Sequence, residues 1–298
     1  TQFKASVDMN TSPILTCPLR PRAFGQPCKV KGKGPQMYNF EFAKPATVAD
    51  AVTALAAEDA QALGGGQTLL PTMKQRLAAP SVLVSLNGIS DIKGVAHRGG
   101  TVSIGGGTTH ATVAREAGVQ YPALAAMAAR IGDPAVRNRG TIGGSLANND
   151  PSACYPAAVL ASNATITTNT RMIAADDYFQ GMFATALNDG EIITAVDFPV
   201  PQIAHYEKFV QPASRFALVG VFVAKYDTGV RVAVTGAASD GVFRWTAAEA
   251  ALSSDFSKNA VGGLHPPTEP MIADLHGPAE YRAHLVKVMT GRAVAAAM

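Results

Sequence analysis

Three cysteines in 298 residues, Cys17, Cys28 and Cys154, are too few and too scattered for a disulfide framework or a Cys-x-x-Cys metal site. Reduced cytoplasm is the compartment such usage fits. Cys154 reads as a buried, inert thiol. The six histidines show no H-x-x-x-H or similar spacing, so a histidine metal site is not expected. Charged residues make up only 16%, aromatics 7%, and the single tryptophan, Trp245, reads as packing. No apolar run approaches the ~18–20 residues of a membrane span. No segment recurs at a fixed period, which excludes a solenoid. Two nucleotide-binding strings are missing as well. GGGQTL has Leu69 where a dinucleotide fingerprint needs its last glycine, and no G-x-x-x-x-G-K-[ST] loop occurs.

What is present suits a soluble globular chain of one to three domains, 47% apolar and rich in small residues. The net charge of +3 is uneven. Residues 1–36 hold six cations against Asp8 alone, a net of +5, which leaves the rest with 19 cations, 21 anions and a net of −2. The basic excess therefore gives no reason to expect nucleic acid. Residues 1–36 contain Cys17 and Cys28, lack periodicity and lack the apolar stretch of a secretory signal. They read as a basic extension outside the fold, or as a partner-binding arm.

Glycine is the informative residue. Gly64, Gly65 and Gly66 precede Gln67 and Thr68 at the start of a predicted helix, and Thr141, Ile142, Gly143, Gly144 and Ser145 form a second glycine segment. Glycines let backbone approach a ligand and turn N–H groups toward negative charge. Two such segments imply a pocket for a diphosphate. A third run, Gly105 to Gly107, reads as a structural turn.

The pattern around them is mixed. A helix capped by Thr47 is expected to face inward with Val48, Val52, Leu55 and Ala56. A helix over residues 69–77 tolerates Pro71 in its first turn. Hairpins are expected across Arg98-Gly99-Gly100 and across Asp227-Thr228-Gly229. A helix starts near Thr109, where His110 reads as a helix-start polar residue. A terminal helix presents Tyr281, Leu285, Val288 and Met289 on one stripe. The order is an α+β arrangement of two or three subdomains.

Residues 37–297 resemble the FAD-binding medium subunit of molybdenum hydroxylases, the group of aerobic carbon monoxide dehydrogenase and xanthine dehydrogenase. The resemblance rests on LGGGQTLLPTMKQRL, IGGGTTHATV, IGDPAVRNRGTIGGSLANNDPSACYPA, DDYFQGMFATAL and GEIITAVDFPVP, in that order. It implies a two-subdomain FAD-binding fold of the para-cresol methylhydroxylase type over residues 37–213 and an α+β C-terminal domain over residues 214–298. It implies non-covalent FAD, with the diphosphate held by backbone N–H groups from Gly64 to Thr68 and the cradle completed by Thr141 to Ser145. Leu69, Thr109 and Asn148 belong to the implied set. Asp150 would bond the adenosine side, or else cap the helix after Pro151. Leu187 would pack near the cofactor. Lys208 and Phe216 match positions near the flavin ring, although Lys208 also reads as an exposed strand residue.

Two departures stand out. Cys154 stands where relatives often carry a carboxylate, and Arg215 where they often carry an acid. The resemblance implies an electron-transfer subunit with no catalytic side chain of its own. It would work with a large molybdenum-cofactor subunit and a small [2Fe–2S] subunit in a dimer of heterotrimers, and would serve an external acceptor. A free-standing flavin oxidase or reductase, and a non-enzymatic nucleotide-binding module, are the alternatives.

Overall fold

The computed structural model describes residues 37–298, so the basic extension, Cys17 and Cys28 lie outside the described residues. The first layer is a parallel sheet. It contains β1 (Glu41–Ala43), β2 (Ala60–Leu63) and β3 (Val82–Ser85) in the order β1-β3-β2, with helices α1 (Val48–Leu55) and α2 (Leu69–Lys74) in the connections. Thr47 caps α1 by accepting the Asp50 N–H at 3.1 Å. Ala51 is the fully buried residue of α1, packed with Val84, Ile89 and Ile92, and half-buried Val48, Val52 and Leu55 flank it. Ala56 corrects the expected stripe: it is the exposed C-cap. Helix α2 stops at Lys74 rather than Leu77, because Arg76 has turned to φ 61° and leaves Leu77 exposed.

The second layer is an antiparallel sheet of order β4-β5-β10-β6-β7. Its strands are β4 (Val95–Arg98), β5 (Thr101–Gly105), β6 (Thr165–Thr168), β7 (Met172–Ala174) and β10 (Ile193–Pro199). Strands β4 and β5 join at Gly99 and Gly100, with φ of 51° and 81°, as a two-residue hairpin turn requires. Between them and β10 come α3 (His110–Glu116), α4 (Pro122–Ala129), α5 (Pro134–Arg137), α6 (Ile142–Asn148), α7 (Tyr155–Ala161) and α8 (Ala175–Tyr178). A small hairpin of β8 (Phe179–Gly181) and β9 (Ala184–Thr185) follows. The second glycine segment is thus the first turn of α6, capped by Thr141.

The third body is an antiparallel meander of β11 (Ile203–Val210), β12 (Ala217–Tyr226), β13 (Gly229–Ala238) and β14 (Gly241–Arg244), with α9 (Thr246–Ser254) and α10 (Ala279–Ala297). Its first strand pairs with β12 from Ile203↔Lys225 onward. The expected boundary at residues 213/214 falls between the paired strands β11 and β12. Strand β12 is buried on both faces. Val219, Val221 and Val223 join the core under α10, while Phe222 and Ala224 join the core of the second layer. Helix α10 buries Arg282, Leu285, Val286, Met289, Ala293 and Val294. Tyr281 is 39% exposed and Val288 half-buried, so the real stripe is rotated from the expected one. Trp245 packs in this core, 3% exposed.

Candidate cofactor-binding cleft

Strand β2 ends at Leu63, and the chain turns through Gly64, Gly65 and Gly66 into α2. Gly66 has φ 70°, which favours glycine. Among the described residues, no acceptor engages the N–H groups of Gly64, Gly65, Gly66 and Gln67. Such a run of unbonded donors matches an anionic group.

The second segment is built differently. The Ile142 N–H donates to the Thr108 carbonyl at 3.1 Å, and Gly143 to the Gly106 carbonyl at 2.8 Å. Gly144 donates to Thr141 Oγ1 at 3.1 Å, and Ser145 to the Thr141 carbonyl at 3.0 Å. Those donors are spent within the protein. The N–H groups of Ile142 to Ser145 are bonded inside the protein, and the segment acts as a brace. A Cβ on Gly143 would lie 2.6 Å from the Gly106 oxygen, and one on Gly65 would lie 2.5 Å from Gly140 Cα. These glycines permit backbone to pack on backbone.

The two segments line one cleft of about 660 Å³, within the range of small-molecule sites. Gly64, Gly65, Gly66, Gln67, Thr68 and Leu69 form one wall, and Thr141, Gly143, Gly144, Ser145 and Asn148 another. Asp150, Leu187 and Phe216 also line it. No lysine or arginine lines it among the described residues, so a bound diphosphate would rely on backbone donors.

Three expected residues do not reach the cleft. Ile142 is fully buried in the core. Thr109 is spent as the cap of α3, accepting the Thr112 N–H. Lys208 shares the inward face of β11 with Tyr206 and is 4% exposed, which also overturns the exposed-strand alternative. Its Nζ donates to the carbonyls of Arg130 at 2.8 Å and Arg215 at 3.0 Å, and lies 3.6 Å from Cys154 Sγ. Cys154 is buried as expected, but it is a contact of this ammonium rather than an isolated thiol. Asp150 does not cap α7. Its Oδ1 accepts the Ser152 N–H at 2.8 Å in a local turn, and α7 begins later, at Tyr155.

The sequence reading missed Gly106, Gly107, His110, Phe183 and Glu191, all of which line the cleft. The third glycine run was the available signal for the first two. His110 is 5% exposed, its ring centroid 5.3 Å from that of Tyr155. Burial, then the Arg137 charge, lowers its pKa to about 4. The Arg171 guanidinium, with the Asn188 N–H and two threonine hydroxyls, outweighs desolvation and lowers the Glu191 pKa to about 2. Phe183, 59% exposed with φ 56°, is tied by its N–H to the Asn149 carbonyl.

Residues 38–201 match the family described as the FAD binding domain in molybdopterin dehydrogenase. The carbon monoxide dehydrogenase medium chain of Afipia carboxidovorans is 34% identical over 275 residues, covering 86% of this chain and 96% of that one. The chain belongs to the FAD-binding medium subunits of the molybdenum hydroxylases. The nicotine 6-hydroxylase medium subunit of Paenarthrobacter nicotinovorans is 36% identical over 272 residues, with 86% and 96% covered. Among solved structures, carbon monoxide dehydrogenase from Hydrogenophaga pseudoflava superimposes with a TM-score of 0.79 at 33% identity, covering 88% of this chain and 98% of that one. The unbonded donors of this medium subunit's cleft fit an FAD diphosphate.

Proposed function

We propose that this chain is the electron-transfer subunit of a heterotrimeric molybdenum hydroxylase. It takes electrons from [2Fe–2S] clusters of a small subunit and passes them to an external acceptor, while a large molybdenum-cofactor subunit oxidises the substrate. The trimers pair into a dimer of heterotrimers in the cytoplasm. Among the described residues no helix is long and apolar enough to cross a membrane.

The observation that carries this reading is the row of unbonded N–H groups at Gly64 to Gln67, residues that line a cleft braced by Thr141 to Ser145. Bound FAD would supply exchange of electrons singly or in pairs. The residues here bind and orient it. The loop donors take the diphosphate, Asp150 offers a carboxylate to hydroxyl groups, and Leu187 and Phe216 supply apolar wall.

The titratable groups of the cleft support electron transfer over substrate chemistry. Burial holds the His110 pKa down at about 4, and the Arg171 ion pair holds that of Glu191 down at about 2. A general acid or base works best with a pKa near the operating pH, and neither shifted group is so placed.

The test is purification of the chain with its natural partners. The reading expects flavin absorbance near one per chain and co-purification with iron–sulfur and molybdenum subunits. Substrate turnover by the isolated chain would instead establish a free-standing oxidase or reductase. A colourless chain that binds nucleotides would establish a binding module.

A further inference from the structure

A turn at residues 274–277 is built more firmly than a surface loop requires. Asp274 donates its N–H to the Gly277 carbonyl at 3.2 Å, and Gly277 returns a bond of 3.1 Å. Arg282, in the first turn of α10 and 2% exposed, ties it to the sheet. One guanidinium nitrogen donates to the carbonyls of Leu218 and Gly236, each at 2.8 Å, and another to Asp274 Oδ2 at 2.8 Å. One buried side chain thus joins α10, β12, β13 and the turn. Gly277, at φ 155°, lets the turn close on the helix, because a Cβ there would stand 2.7 Å from Tyr281 Cδ1.

The clamp delivers one ring. Asp274 Oδ1 accepts the His276 N–H at 2.9 Å. The His276 imidazole meets Phe216 in a T-shaped pair, with centroids 5.6 Å apart and planes at 70°. Edge-to-face rings attract, because a positive edge meets a negative face. Phe216 lines the cleft, and the carbonyl of the preceding Arg215 is held by Lys208. Its backbone is therefore fixed on one side by Lys208 and its ring on another by His276.

We propose that His276 is a positioning residue for Phe216, and that the two rings set how far the cleft opens to an external electron acceptor. The positioning stands on the contacts alone. The control of access rests on the FAD reading above.

The experiment combines two readouts on the full chain. Hydroxyl-radical footprinting of Phe216 is compared in the wild type, His276→Ala and His276→Phe. Where flavin is bound, the protein is reduced with dithionite and its reoxidation by ferricyanide is timed. Phe216 oxidation is expected to rise severalfold in His276→Ala and to return toward the wild-type level in His276→Phe, which keeps a ring. Reoxidation is expected to quicken in His276→Ala, to a lesser degree in Asp274→Asn, and not in His276→Phe. Asp274→Asn, which weakens the clamp but keeps both rings, is the second variant and is expected to raise Phe216 oxidation by a smaller factor.

Unchanged Phe216 labelling in both His276→Ala and Asp274→Asn overturns the positioning. Raised labelling with unchanged reoxidation overturns the control of access. A wild-type chain that holds no flavin overturns the FAD reading and the access claim with it, while footprinting still decides the positioning.

Discussion

A side-chain carbon on Gly65 would collide with the Arg139 carbonyl, whose carbon would stand 2.6 Å away. The first glycine loop therefore touches the segment before the second, backbone against backbone. Neither carbonyl nor Cα can rotate out of the way. Gly65→Ala is expected to destabilise the chain by about 1–3 kcal/mol, the usual cost of overpacking, and to lose FAD. Gly64→Ala meets the Thr141 hydroxyl at 2.9 Å and Gly144 Cα only at 3.9 Å, an ordinary contact, and is expected to be milder. Thermal unfolding of the flavin-free protein separates this account from one in which the glycines only make room for the ligand. An unchanged Tm in flavin-free Gly65→Ala would sink it.

His110 predicts a pH dependence. Its folded pKa of about 4 lies below the ordinary 6.5, so the unfolded chain binds the extra proton between those values. Its contribution is fully present above pH 6.5, falls as pH drops, and is lost below about 4. The shift corresponds to about 3 kcal/mol at most, from ~1.4 kcal/mol per pKa unit. Urea denaturation of wild type and His110→Phe between pH 7 and 4 is expected to show a shallower decline in the variant. Parallel curves would remove His110 as the cause.

Lys208→Met takes the shared donor from the carbonyls of Arg130 and Arg215. Buried acceptors left without partners cost about 1–3 kcal/mol, so the denaturation midpoint is expected to fall. Flavin affinity should weaken too, because Arg215 carries Phe216 into the cleft wall. Full flavin content with an unmoved midpoint would show that the ammonium braces nothing.

A chain cut after residue 213 would keep β11 without β12, leaving its edge unpaired. It would also lose Phe222, Ala224 and Ala233, which complete the second layer's core beside Tyr206. Such a fragment is expected to aggregate or to unfold without a cooperative transition. A sharp transition in circular dichroism would argue that the first two layers fold on their own.

Much of the fold could be read from local chemistry. Thr47 announced its cap, and Gly99-Gly100 announced its turn, because these effects act within a few residues. The cleft walls were legible where glycine marked them. Phe183 gave no signal, since its place depends on a bond to Asn149 and an αL backbone. Lys208 was misplaced because the burial of a lysine depends on what its ammonium finds across the fold. Here it finds the Arg130 carbonyl, 78 residues away, and the Arg215 carbonyl across the connection to β12.

The sequence by itself determined the family, several of the helices and hairpins, and the glycine loop that carries free donors. Those follow from short-range propensities and from ordered strings of residues. The tertiary structure alone decided that the first segment offers its N–H groups while the second spends its own on Thr108, Gly106 and Thr141. A backbone donor is available to a ligand only if no nearer acceptor claims it, and that is settled by which chains the fold brings together.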